Sequence, residues 1–253
     1  MSKLEFLYSR KHFLHWFLMA FVAGTVNAGG FMACQRFVSH VTGFATLAGV
    51  DIARGSFIEA FGILTVPLFF LGGAMLAAIL VERRHSRGDN PRHSLAMALV
   101  AFFLFLATAG GQLHWFGAFG APLKLKSDYL LLALLCSASG IQNALITSVS
   151  GGVVRTTHLT GITTDLGLGL VRTLYQTGEE QRLRKEKQFN RLRVGTLFSF
   201  VAGSLIGAMA FLSFEYLGFL LPAMLASYMA LAAPALWEER HPDHAEGVAH
   251  PVP

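Results

Sequence analysis

Apolar residues fill this chain in long blocks, and short clusters of basic residues separate the blocks. The blocks are too long for strands and read as helices. The first covers residues 12–34; a shorter one follows at 41–55, a long one at 57–82, and another at 94–110. A linker with Trp115, Pro122, Lys124 and Lys126 intervenes, and the order then repeats as 128–150, a short block at 159–174, and long blocks at 194–214 and 216–237. The six long blocks have the length that crosses a bilayer core of about 30 Å, which takes roughly 20 helical residues. The two short blocks do not reach that length without tilt.

The short blocks resemble each other. His40, Thr42, Gly43, Thr46, Gly49 and Arg54 recur at the same offsets as His158, Thr160, Gly161, Thr164, Gly167 and Arg172, six identities in fifteen positions. The long block before each also matches, with Gly24-Thr25-Val26-Asn27-Ala28 in the first and Gly140-Ile141-Gln142-Asn143-Ala144 in the second. Such self-similarity is the mark of an internal duplication. It divides the chain into a first half at 1–120, a second half at 121–237 and a tail at 238–253, which has no hydrophobic period and is expected to be disordered.

Composition adds the environment. Hydrophobic residues make up 53% and charged ones 14% of the chain, so the blocks are read as spans of an integral membrane protein. The first block leads in from Lys3, Arg10 and Lys11 without a small-residue cleavage site, so it is expected to be retained as a span. The net charge of +5 collects between blocks, which fits membrane topology and not nucleic-acid binding. Cys34 and Cys136 have neither disulfide nor zinc spacing and read as small packing residues; no metal, cofactor or catalytic set is indicated.

Charge also decides between topologies. Eight crossings would put the arginine-rich segments 83–93 and 175–193 on opposite sides, against the positive-inside rule. Six crossings with two short re-entrant helices put both segments and both termini in the cytoplasm. Three crossings per half then invert the second half relative to the first. The expected fold is an all-α integral membrane protein with six full transmembrane helices and two short broken helices in an inverted-topology repeat, an arrangement found in secondary transporters.

Within that frame the polar positions become candidates. A helix starting inside a membrane protein exposes its first amides, so Thr42 and Thr160 are expected N-caps, with Gly43 and Gly161 allowing close approach to a solute. Thr42 and Thr46, like Thr160 and Thr164, share a helical face. Asn27, Gln142 and Asn143 lie mid-helix, where they either coordinate a solute or tie helices together. His40 and His158 offer a proton switch or an anion contact, with capping as the plainer role. Arg36 and Arg155 are candidates for an anion at the pocket mouth, or simple interfacial arginines. Asp51 and Asp165 stand within the short blocks without aligning; Asp165 is the better candidate for proton or ion coupling, because Asp51 has Arg54 three residues on.

The stretch from Phe21 to Phe31, the run Ser39-His40-Val41-Thr42-Gly43 and the later Arg155-Thr156-Thr157-His158-Leu159-Thr160-Gly161 together resemble the YoaK family of bacterial inner-membrane proteins, over roughly residues 12–237. The resemblance implies a multi-pass protein of the bacterial inner membrane. It implies no substrate and no site, because the family is a domain of unknown function.

The residues themselves favour a secondary transporter or channel for a small polar or anionic solute, with its site between the paired threonine-glycine helices and proton coupling through Asp165 as an addition. The expected partners are the bilayer, the solute and, in a homo-oligomer, a second copy. The alternatives are an intramembrane enzyme acting on a lipid or isoprenoid with a histidine base, which lacks any nucleophile or metal motif, and a non-transporting scaffold with a dry centre.

Overall fold

In a bilayer every backbone amide must be satisfied within its own segment, and this chain meets that demand with helices alone among its described residues. The structure is a computed structural model and describes residues 10–121, 126–175 and 180–237. Its elements are α1 (Arg10–Cys34), α2 (Val41–Ala53), α3 (Phe57–Leu80), the single turn α4 (Glu82–Ser86), α5 (His93–Gln112), α6 (Lys126–Ser150), α7 (Leu159–Tyr175), α8 (Glu180–Phe214), a 3-10 turn (Glu215–Phe219) and α9 (Leu220–Trp237). Five helical stretches are long and apolar enough to cross a membrane: His12–Cys34, Phe57–Ser86, His93–Gln112, Tyr129–Ser150 and Glu180–Ala233. The last contains both α8 and α9. With 13 and 17 residues, α2 and α7 are about 20 and 25 Å long, short of the bilayer core.

One boundary differs from expectation. The polar segment expected as a loop up to 193 is helical from Glu180, so α8 runs for 35 residues. Its charges are arranged for a helix. Arg184 pairs with Glu180 four residues earlier, and Leu192 and Asn190 turn inward while Arg182, Lys185, Lys187 and Arg191 stay exposed. The tail 238–253 lies outside the described residues.

Packing exchanges elements between the halves. Helix α1 packs mainly on α8, and α3 mainly on α6, while α2 lies on α3, α7 on α8 and α9 on α5. Both cross-half seams are built on glycine. A Cβ on Gly24 would collide with the Phe200 carbonyl, and one on Gly203 with the Phe21 carbonyl. In the other seam Gly140 abuts the Phe70 carbonyl and Gly73 the Ser137 carbonyl in the same way. Lipid supplies no hydrophobic drive between helices, so association rests on such close backbone approach and on polar bonds across it. Thr25 Oγ1 donates to the Gly203 carbonyl at 3.0 Å, Ser204 Oγ to the Gly24 carbonyl at 3.2 Å, and Ser137 Oγ to the Phe69 carbonyl at 3.3 Å.

These contacts also fix direction. Along the first seam Gly195 meets Phe17, Gly203 meets Phe21 and Gly207 meets Thr25, so α1 and α8 run parallel. Along the second, Gly62 meets Tyr129 and Gly73 meets Ser137, so α3 and α6 run parallel too. The C-terminal ends of α1, α5 and α8 gather at one end of the bundle. There Gly120 N donates to the Ala33 carbonyl at 3.0 Å, Tyr216 Oη donates to the Gly117 carbonyl at 2.9 Å, and Phe119 stacks on Phe211 at 6.3 Å. At the other end Arg92 N donates to the Leu80 carbonyl at 3.0 Å and closes the α3–α5 hairpin.

Candidate functional site

The matched asparagines do matched work. Asn27 Oδ1 accepts a hydrogen bond from Ser39 Oγ at 3.1 Å and a longer one from Ser39 N at 3.4 Å. Asn143 Oδ1 accepts one from Thr157 Oγ1 at 2.7 Å, and its Nδ2 donates to the Ser139 carbonyl at 2.8 Å. Each asparagine ties its helix to the linker just before the repeated histidine. Gln142, almost fully buried, donates from Nε2 to the Met19 carbonyl of α1 at 2.7 Å. All three side chains are thus engaged with protein, and among them Asn143 also faces a cavity.

The short helices start one residue after their histidines, and Thr42 and Thr160 are second in the helix and not its caps. His40 holds the cap position of α2 without a side-chain cap bond. Its ring lies over Gly43, where a Cβ would press on Nδ1, and meets the Phe37 ring edge-on at 6.1 Å. Thr46 and Thr164 each return their hydroxyl to the carbonyl four residues back, at 3.0 Å to Thr42 and Thr160. Thr42, Thr46, Thr160, Gly161, Thr164 and Asp165 are exposed on the flanks of the bundle. The two short helices pack on the third helices of their own halves, not on one another, so these residues are not brought together. No ion pair joins Asp51 to Arg54 among the described residues; Arg172 instead reaches Glu186 on α8 at 4.0 Å.

What the fold does bring together is the wall of a cavity of about 650 Å³. Helix α3 contributes Phe70, Ala74, Ala77 and Ala78, and α4 its first residue, Glu82; α6 contributes Asn143, Ala144, Thr147 and Ser148; the linker adds Gly151, Gly152, Arg155 and His158. The size is that of a small-molecule site, apolar in its walls with a few convergent polar groups. The wall's cover over His158, and secondarily the Arg155 charge, hold the imidazole below its ordinary pKa of 6.5. Three of the residues picked from the sequence, Asn143, Arg155 and His158, therefore line one cavity. Arg36, His40 and Asn27 belong to the corresponding place at the end of α1, more than 100 positions earlier in the chain.

Glu82 is a wall residue that the sequence did not single out. It sits between the apolar run and Arg83-Arg84, where a charge reads as a boundary. A smaller space of about 190 Å³ adjoins, lined by Arg155, Asp165, Phe189, Arg193 and Thr196 among others. Arg155 borders both. Beside it Arg193 pairs with Glu186 at 3.0 Å and with Asn190 Oδ1 at 2.7 Å, and Asn190 Nδ2 donates to Thr173 Oγ1 at 3.2 Å. Gly169 leaves room for this cluster, since a Cβ there would strike Asn190.

Apolar helices of spanning length and glycine seams between them define a polytopic α-helical membrane protein. The chain belongs to the family described as protein of unknown function DUF1275, which matches residues 15–233. It is similar to the UPF0700 transmembrane protein YoaK of Bacillus subtilis (strain 168), with 24% identity over 194 residues, 76% of this chain and 81% of that protein. No solved structure matches it.

Proposed function

We propose that this protein is a secondary transporter for a small polar solute, built of six crossings in two inverted halves, with the cavity between α3, α6 and residues 151–158 as its cytoplasm-facing site. The path of the chain supports the inversion. α1 ends where α5 ends, and the tight α3–α5 hairpin puts the start of α3 at that same end, so α2 leaves and returns on one side. Helix α6 ends beside the end of α3, and α8, parallel to α1, starts at that end too, so α7 leaves and returns on the other. Irregular backbone at such depth is tolerated where it lines a cavity. The basic segments 83–92 and 182–193 then share the end where the cavity lies, which supports a cytoplasmic assignment of that end, in keeping with a location in the inner membrane.

The cavity is the observation that carries the reading. This wall sets an asparagine, an arginine, an imidazole and a carboxylate around one open space at the ends of α3 and α6, with Glu82, Arg155 and His158 exposed to it. Proton coupling keeps Asp165 as its candidate, at the edge of the adjoining space that Arg155 also borders.

The test begins with purified protein and thermal unfolding against a panel of amino acids, carboxylates and sugars, since a ligand of the folded state stabilises by mass action. Every stabilising solute is then offered, radiolabelled, to reconstituted vesicles. Transport predicts uptake that Asn143→Leu or Arg155→Gln lowers at least about tenfold, a change of about 1.4 kcal/mol. Solutes that bind and are never accumulated or exchanged would rule transport out.

A further inference from the structure

The repeat supplies an internal control for the cavity. Carrying the offset of the asparagines from one half to the other matches Thr147 and Ser148 with Phe31 and Met32; the offset of the histidines matches Arg155 with Phe37; the offset of the seam glycines matches Glu82 with Leu212. The framework positions agree, Asn143 with Asn27, His158 with His40 and Phe70 with Phe200. Four of the thirteen wall positions thus carry a polar or charged side chain where the first half has an apolar one, whereas Ala74 matches the polar Ser204. In the first half Phe31 and Phe37 stack at 4.6 Å and Phe37 meets His40, so rings occupy the place that Thr147 and Arg155 leave open.

Two of the four changes install charges, and the charges have opposite sign. A wall made for an anion needs Arg155 but gains nothing from Glu82, whose carboxylate repels it. A wall made for a cation has the reverse conflict. Resting on the transport reading, we infer that the cavity takes a zwitterionic solute, its anionic group at Arg155 and its cationic group at Glu82, with the short apolar body against Ala74, Ala77 and Ala144. The volume of about 650 Å³ has room for a small amino acid. Thr147 and Ser148 supply hydroxyls that can serve either end.

Alanine, lactate and ethylamine test this as a matched set, being zwitterion, anion and cation on nearly one skeleton; the corresponding sets on β-alanine and γ-aminobutyrate vary the charge separation. Thermal unfolding of the full chain in detergent is followed at rising concentration of each. An amino acid is expected to reach half of its stabilising effect at about tenfold lower concentration than its hydroxy acid or amine. Glu82→Gln and Arg155→Gln should each weaken the amino acid about tenfold, with Glu82→Gln leaving the hydroxy acid unaffected or improved, and Glu82→Asp restoring most of the loss. If the hydroxy acid matches the amino acid, Arg155→Gln weakens both and Glu82→Gln does nothing, the zwitterion is overturned and the cavity as a site survives. If no probe stabilises the protein, or both variants leave every effect unchanged, the cavity reading falls with it.

Discussion

Thr157 donates a 2.7 Å hydrogen bond to Asn143, joining the last third of α6 to the linker that turns back toward α7. Asn143 is 8% exposed, so losing its donor strands an amide oxygen in a low-dielectric wall. Thr157→Val should cost about 1–3 kcal/mol in chemical unfolding, and Asn143→Leu a similar amount. Because the two changes remove one bond, the double variant should cost clearly less than their sum, by about 0.5–1.5 kcal/mol. Strict additivity would mean that the bond holds nothing. Ser39→Ala should cost less than Thr157→Val, since Ser39 N remains as a donor to Asn27.

The seam glycines separate from Gly167 of α7 by what surrounds them. Gly24→Ala and Gly140→Ala force a methyl group into a facing carbonyl, and each should destabilise by about 1–3 kcal/mol or more as helices are pushed apart. Gly167 has nothing near its absent Cβ, so Gly167→Ala should be neutral or stabilising by up to about 1 kcal/mol through helix propensity. Thermal unfolding of the three variants side by side decides it; equal losses would place the seams elsewhere.

Sidedness can be read with single cysteines. Cys34 and Cys136 are both buried and offer a low background to a membrane-impermeant thiol reagent. Cysteines replacing Arg87 and Arg184 should react from the cytoplasmic side, and one replacing Trp115 only from the other. Labelling of Arg87→Cys and Arg184→Cys from opposite faces would restore the eight-crossing alternative and remove the inversion.

His158 gives the cavity a pH dependence of definite sign. The unfolded imidazole takes up a proton near pH 6.5, while the folded one resists until lower pH. The unfolded state therefore binds more protons in that window, and stability rises with pH there. Its contribution is fully present above about pH 7 and declines as pH falls through about 6.5. Thermal midpoints of His158→Gln should vary less across that interval than those of the wild type. An unchanged profile would assign the dependence to another group.

The spans and the duplication were legible because they are local: apolar runs declare themselves by length, and the His-Thr-Gly identities by repetition. Asn143, Arg155 and His158, which line the cavity, stood out by spacing and depth. The place of the cavity did not. Thr42, Thr46, Thr160 and Thr164 are the most conspicuous residues in the sequence, yet their hydroxyls return to their own helices and their faces look outward. Nothing in a single chain states that α3 leaves its own half to lie on α6, and the cavity exists only through that exchange.

Glu82 and the start of α8 were missed for a related reason. Charge at the edge of an apolar run reads as the end of structure. In α8 the acidic and basic side chains satisfy each other along a continuing helix, and the Glu186–Arg193 pair against Thr173 and Asn190 shows that this continuation has a partner to lie on. Partnering across elements is a tertiary fact, invisible to composition.

The exchange between halves bears on how the protein is made. Thr25 bonds to Gly203, 178 positions later in the chain, and Gly24 waits for the same helix. During synthesis α1 must therefore sit in the bilayer with its glycine face against lipid until α8 is inserted. A polypeptide interrupted before residue 200 lacks the main partner of its first helix, and neither half alone supplies both sides of a seam.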